Sequence, residues 1–447
     1  MTKRMPIISV AVILVLCIIL GGLVLITVKQ ISAGDNETQS ENGFNSEASG
    51  NTSYSAATEI KESTEFSDKT YTSETAEENA LSVSGDVVVT ATGITVNKTG
   101  DSDSGDNTSF YGTNSAVIAK DGATLNIKGA KITTDASGAN GVFSYGGTAT
   151  TQNASGDGTT VNISDSTIIT KQDNSGGIMT TGGGVMNAEN LTVETAGRSS
   201  AAIRSDRGGG TVTVNKGTYK TTGIGSPSIY STADITVKNA ELISTTSEGA
   251  IVEGKNSITL ENCTLEDNNT ELNGQSTTYK NIFLYQSMSG DADTGNAVFT
   301  AKDCIITTKN GDTIYVTNTS AVITLENNTF TSTDNNGYFL RIQKDSWGNN
   351  GSNGGNVTLN MKNQKVAGDI YVDSISTLTM TLDNNSCFEG VINKDNITSS
   401  VKLTIDKTSK IKLTGNIYLS SFENGDSTNS NIDFNGYKIY VDGKELS

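Results

Sequence analysis

The sequence predicts an all-β chain whose main part is a parallel β-helix. Three observations predict it. The first is a recurring phrase: short alternating strand, Asn/Asp/Gly turn, second short strand, Gly/Ser-rich turn. LNIKGAKI (125–132), VNISDSTI (161–168), ITVKNAEL (235–242), ITLENCTL (258–265) and ITLENNTF (323–330) are copies. The second is its spacing. The last apolar residue of the phrase falls at Ile132, Ile168, Val193, Tyr219, Leu242, Leu265, Ile306 and Phe330, at intervals of 36, 25, 26, 23, 23, 41 and 24. A recurrent step near 24 with longer insertions marks a solenoid. The third is composition. Thr, Ser, Asn and Gly outnumber helix formers, and the two prolines are Pro6 and Pro227. Few prolines suit a fold whose strands are paired on both sides.

Each coil holds two or three strands of period-two alternation, with Val, Ile, Leu, Phe and Ala inward and Thr, Lys, Ser, Asn and Glu outward. One coil cannot bury its apolar face; stacked coils can. Turn residues Asp165, Asn239, Asn262, Asp303 and Asn327 suit left-handed backbone angles and stacked amide or carboxylate ladders. Roughly thirteen coils are expected over residues 81–447. Insertions near 101–112, 146–158, 267–280, 287–296 and 344–356 are expected to project as loops.

Ahead of the solenoid, Lys3 and Arg4 precede an uncharged run over 5–28, MPIISVAVILVLCIILGGLVLITV. Its length suits a transmembrane anchor at 6–28 behind a cytoplasmic tip at 1–5, with the β-helix outside. The competing reading is a signal sequence, with a weak cleavage site at Ile31-Ser32-Ala33. Residues 29–80, rich in Ser, Thr and Glu, read as a disordered stalk.

The net charge is −18, which disfavours nucleic acid and polyanionic glycans. Histidine is absent, so His-based catalysis and most zinc sites are excluded. No metal-ligand spacing is present. Cys263 and Cys304 share one column of the repeat with Ala130, Gly217 and Ala240. They read as small residues in an interior stack, with a disulfide as the alternative.

Of five arginines, Arg198, Arg204 and Arg207 fall within ten residues, with Asp206 between the last two and Gly208-Gly209-Gly210 following. Gly182-Gly183-Gly184 and Gly146-Gly147 close earlier coils in the same way. Stacked glycine turns would make a low wall beside arginines able to grip an anion; the alternative is an Arg–Asp surface ladder. Aligning each strand after the Gly/Ser turn gives an outward stripe: Phe143, Met179, Arg204, Tyr230, Val252, Phe283, Tyr315, Arg341, Tyr371, Ile392, Tyr418 and Tyr440. Aromatic and Arg side chains at strand spacing suit stacking on sugar rings; like-residue ladders that only stabilise the solenoid are the alternative. The same alignment places Glu253 inward with Ser205 and Ser231. Either the register breaks there, or Glu253 faces Arg204, Lys255 or a cation. Asp291 and Asp293 in SGDADTGN form a weak calcium candidate; otherwise they belong to a solvated acidic loop.

The chain resembles the right-handed parallel β-helix superfamily, the pectin-lyase-like solenoids, and in particular surface-anchored members from Gram-positive anaerobes. The motifs carrying the resemblance are SGGIMTTGGG, GRSSAAIRSDRGGGTVTV, GSPSIYSTADITV, EGKNSITLENC and YQSMSGDADTG. It covers roughly residues 81–440. It implies a cell-surface solenoid of adhesin-like character; the expectation is a single-pass, monomeric protein that binds extracellular glycan or matrix without catalysis and without a cofactor. The binding residues would be Arg198, Arg204, Asp206, Arg207, Tyr230, Glu253, Tyr315, Arg341 and Tyr371. The superfamily also holds lyases and hydrolases. A polysaccharide-active enzyme would centre on Arg204, Asp206 and Glu253. A structural spacer is the third reading.

Overall fold

The computed structural model describes residues 52–149, 155–398 and 400–446. The expected anchor and the first part of the expected stalk lie outside them. Among the described residues no helix is long and apolar enough to cross a membrane.

The chain is all-β, built of parallel strands stacked coil on coil. The first sheet has twelve parallel strands, from Ala56–Ile60 to Ile370–Val372. Further rungs follow at Ile392, Ile417–Leu419 and Ile439–Val441; with the one at Ala56–Ile60 set aside, fourteen rungs stand where roughly thirteen were expected. Two other ladders make the second and third faces. They join into one sheet because the twelve-residue strands Gly184–Thr195 and Gly210–Thr221 run through both. A separate four-stranded sheet, starting at Lys365–Ala367, continues the third face.

The alternation works as the sequence predicts. The inward column Leu81, Val117, Val142, Ile178, Ile203 and Ile229 on the first sheet is fully buried. It continues as Ala250, Ile282, Ile314, Leu340 and Ile370. Burying each branched side chain contributes about 1.5–3 kcal/mol. The turn residues Asp165, Asn239, Asn262, Asp303 and Asn327 have φ of 50°, 54°, 53°, 54° and 53°. Their side chains form ladders: Asn262 Nδ2 donates to Asn239 Oδ1 at 2.7 Å and Asn327 Nδ2 to Asp303 Oδ1 at 2.6 Å.

The solenoid starts earlier than expected. Residues 56–73, assigned to the stalk, form the strands Ala56–Ile60, Thr64–Ser67 and Thr70–Ser73. Their inward positions are sparse and partly polar, but Ile60 and Phe66 pack on the core. Thr, Tyr and Phe are strong strand formers even in a Ser- and Glu-rich segment.

Insertions do not project freely; several fold back over the first sheet. Gly105–Tyr111 forms a short helix, and its Phe110 carbonyl accepts from Thr181 Oγ1 at 2.8 Å. Trp347, in the 344–356 loop, packs its ring 5.3 Å from Phe283 and 5.2 Å from Tyr285. The outward stripe is therefore covered in part: Phe143, Met179, Phe283 and Tyr315 are buried, while Arg204, Tyr230, Arg341, Tyr371, Tyr418 and Tyr440 are half-buried. The register also differs at two coils. Tyr230 pairs with Ile251 and Ile251 with Phe283, so Ile251, not Val252, is outward. Ile392 pairs with inward Ile370.

The second sheet stays open. Its central outward column reads Thr90, Asn126, Asn162, Asn187, Thr213, Thr236, Thr259, Thr300, Thr324, Asn360, Thr381 and Thr404. These twelve are uncharged and none is buried; the column ends in Glu65 before Thr90 and in Glu423 after Thr404. From Lys238 to Asp383 the column beside it alternates in sign, and Lys238–Glu261 and Lys302–Glu326 pair at 2.7 Å.

Cys263 and Cys304 stack as expected, as free thiols. Their column belongs to the apolar core at Ala130, Ala240 and the two cysteines, but it also caps backbone amides. Cys263 N donates to Cys304 Sγ at 3.4 Å, Cys304 N to Asn328 Oδ1 at 2.9 Å and Asn328 N to Gln364 Oε1 at 2.8 Å. Each side chain caps an amide of the preceding coil. Asn328→Ala should therefore cost about 1–3 kcal/mol in urea unfolding, because it orphans a buried N–H. Cys304→Ser should stay within about 1 kcal/mol, because the hydroxyl still accepts. Equal losses for both variants would refute the capping account.

Candidate functional site

The first sheet brings part of the predicted constellation together. Arg204 and Tyr230 are register partners in one outward column. Glu253 lies two residues beyond Ile251, so it is also outward, beside Tyr285. Of the two options the sequence left for Glu253, the register break holds. The strand Ala250–Glu253 enters its sheet one residue earlier than the alignment assumed. Glu253 is nevertheless only 1% exposed, because loop 287–296 covers it.

Three hydroxyls converge on the Glu253 carboxylate. Tyr230 Oη and Ser287 Oγ donate to its two oxygens, and Tyr285 Oη donates at 3.1 Å. From Ser287 the chain of hydrogen bonds continues to Ser289 at 2.7 Å. Ser289 Oγ donates to Asp291 at 2.8 Å, and Arg207 Nε donates to Asp291 at 2.7 Å. The Arg207 guanidinium lies 4.0 Å from the centre of the Phe110 ring. Arg204 makes three hydrogen bonds of its own. It donates to Asp206 at 2.9 Å, to the Ser199 carbonyl at 2.9 Å and to Ser109 Oγ at 3.2 Å. These groups border a cleft of about 210 Å³ lined by Arg204, Asp206, Tyr230, Tyr285, Asp291 and Asn273.

The two arginines are thus each neutralised by an aspartate. They do not present a free fork to an anion, as the sequence suggested they could. Asp291 offers its oxygens to Arg207 and Ser289, and a guanidinium at 2.7 Å repels a cation; the pair does not fit calcium. The stacked glycines do form a wall, but they pack on one another. Gly183 N donates to the Gly209 carbonyl at 3.0 Å, and a Cβ on Gly208 would sit 2.3 Å from the Thr148 carbonyl oxygen. That contact, with φ of 79° at Gly208, requires glycine there irrespective of any ligand.

Burial sets the proton affinities. It pushes the Asp206 carboxyl up to about 7, with Asp291 adding to the rise and Arg204 opposing it. Burial likewise raises Glu253, against the lowering effect of the hydroxyls from Ser287, Tyr230 and Tyr285. Tyr230 and Tyr285 are held well above the ordinary phenol value, first by burial and then by Glu253. The cleft therefore holds two carboxyls that favour their neutral forms more than exposed ones do.

Other predicted residues lie elsewhere. Arg198 is exposed at the rim and donates to Asn273 Oδ1 at 3.0 Å. Tyr315 is buried under the 344–356 loop and donates to Asp345 at 2.6 Å. Arg341 clamps buried Asp312 at 2.5 Å and lies 4.4 Å over Tyr338 and 5.5 Å over Tyr371. That is a second, structural cluster on the same column. Sequence reasoning missed Ser109, Phe110, Asn273, Tyr285, Ser287 and Ser289. All but Tyr285 are supplied by insertions, whose docking site no repeat can encode. Tyr285 and Ser287 do fall within the segment YQSMSGDADTG.

Both buried acids carry folded pKa values above their unfolded ones, so each favours folding in its neutral form. That stabilisation is complete below about pH 4. For Asp206 it is lost as pH rises through about 7. The urea midpoint of the native chain should fall between pH 5 and pH 8. In Asp206→Asn, which cannot ionise, the fall should be shallower; parallel profiles would exclude Asp206 as its source. No protein-family model, no curated protein and no solved structure matches the chain.

Proposed function

We propose that the chain is a membrane-anchored cell-surface protein whose β-helix, right-handed like the pectin-lyase-like solenoids, binds an extracellular glycan in an adhesin-like, non-catalytic role. The anchor is the uncharged run over 5–28 behind Lys3 and Arg4, which leaves the β-helix outside and the N-terminus in the cytoplasm. The observation that carries the binding reading is the cleft over Arg204, Tyr230 and Tyr285. Its polar groups converge on one opening, and its charges cancel within it through Arg204–Asp206 and Arg207–Asp291. Such a lining favours an uncharged sugar over a uronate or a sulfated chain, in keeping with the net charge of −18.

A second reading rests on one specific observation: Asp206 and Glu253 are both acids with raised pKa, as a general acid needs to be. In a glycoside hydrolase one would protonate the leaving oxygen while the other, ionised, activated water or attacked. A lyase is less well supported, because the Arg204 guanidinium is held by three acceptors, one of them the Asp206 carboxylate.

The two readings separate in one experiment on the full chain in detergent. A glycan array should give binding to neutral oligosaccharides, weakened about tenfold or more by Tyr230→Ala, a loss equivalent to 1.4 kcal/mol. Reducing-sugar release from the bound glycan should be undetectable. Turnover abolished by Glu253→Gln would replace binding by hydrolysis. Binding unchanged in Tyr230→Ala and in Arg204→Ala would move the site away from this cleft.

A further inference from the structure

We propose that the open face of the second sheet is a separate binding track for an uncharged polysaccharide chain lying along the stack of coils. It does not depend on the cleft over Arg204.

The outward column from Thr90 to Thr404 is uncharged through twelve consecutive coils. The fold alone does not require this. On the third sheet one outward column carries Glu194, Lys220 and Glu266, and the other carries Lys131 and Glu241. Thr is a natural choice for an exposed strand, but so are the charged residues used there. Charge has been kept off these twelve positions and returns at the two ends of the column, at Glu65 and Glu423; beside it, the column from Lys238 to Asp383 alternates in sign, which cancels its field.

Two cavities lie on this face. One, of about 480 Å³, sits over Asn126, Asn162, Asn187 and Thr213, with Lys128 and Glu189, one of each sign, at its side. Asn162 Nδ2 donates to Asn126 Oδ1 at 2.8 Å and Asn187 Nδ2 to Asn162 Oδ1 at 2.9 Å. These lateral bonds fix the amides edge to edge and leave further donor and acceptor capacity facing outward. The other cavity, of about 340 Å³, flanks the same sheet at the register partners Asn296, Ser320 and Asn356, and no charged residue lines it. Gln286, also in its lining, is only 4% exposed, and its Oε1 has no hydrogen-bond partner. A buried acceptor of that kind can take an O–H or N–H donor, from a sugar hydroxyl or from water.

Groups that both donate and accept, without net charge, match a polyol. Coils repeat every ~4.8 Å, comparable to the advance per residue of an extended pyranose chain, so successive sugars can meet successive rungs. Each contact is weak, and affinity should build with chain length.

The test uses the full chain in detergent against immobilised galactomannan and hydroxyethylcellulose, with polygalacturonate as the charged control. At least one neutral polymer should be retained, more strongly than its own short oligosaccharides and more strongly than polygalacturonate. Thr213→Lys combined with Thr324→Lys should weaken retention about tenfold or more. The lysine pair should weaken retention to the same degree in a Tyr230→Ala background, and Thr133→Lys combined with Thr307→Lys, which adds the same charge to the third face, should leave it unchanged. Circular dichroism must show the native strand content in every variant. The proposal is overturned if no neutral polymer is retained, if the lysines have no effect, or if oligosaccharides bind as tightly as polymer. It is overturned equally if light scattering finds a dimer that the lysines dissociate, since a second copy would then cover the face.

Discussion

The hydrogen bond between one coil and the next governs every other feature of this protein. Parallel pairing forces residue to face residue through the stack, as Val142 faces Ile178 and Ile178 faces Ile203. A side chain cannot be placed without reference to the one a coil away. The consequence is columns: an apolar column holds the interior, a left-handed Asn/Asp column turns the chain, and a column of Ser, Cys, Asn and Gln caps buried amides. Where a column accepts a polar residue inside, it does so because the neighbouring coil supplies the partner. Cys263 and Cys304 stack in this way, the Cys304 thiol accepting from the Cys263 amide.

The same rule explains how so many charged groups sit near the cleft without strong net charge. Register alone brings Arg204 under the loop that carries Ser109, and chain proximity gives it Asp206. Arg207 finds its counter-ion in a different coil, at Asp291. Each pair has lost much of its water, so its attraction is partly spent on desolvation. Burial still lifts Asp206 to about 7 even with a guanidinium at 2.9 Å. Desolvation, rather than ion pairing, thus decides the protonation of this site.

Much of the architecture was legible in the repeat, because inward alternation and turn residues are written into each coil. The positive φ of Asp165, Asn239 and Asn262 follows from residue type alone. What stayed hidden was non-periodic. The strands at 56–73 were masked by Ser and Glu on their outward side. A one-residue shift at Ala250 turned Glu253 from inward to outward, since the period of a strand is two. The insertions were recognisable as insertions, but nothing in their composition says which face they cover. Hence Phe143 and Tyr315, read as a surface stripe, are buried, and the cleft is walled by segments the repeat does not describe.

That covering divides the labour between faces. A face roofed by insertions can build a pocket, because roof and floor together enclose a small ligand and exclude water from it. Tyr285 shows the arrangement: its hydroxyl meets Glu253 below while Trp347 packs against its ring from the loop. An unroofed face cannot enclose anything, and repetition is its only resource. A ligand that reads a periodic surface must itself be periodic, and one that reads an uncharged column must have little charge to lose. With both sites acting as proposed, the covered face would select for the local shape of a sugar and the bare face for the length of a chain. The two demands are compatible in a single polymer, which could extend along one face while its end, or a branch, entered the cleft of another molecule beside it.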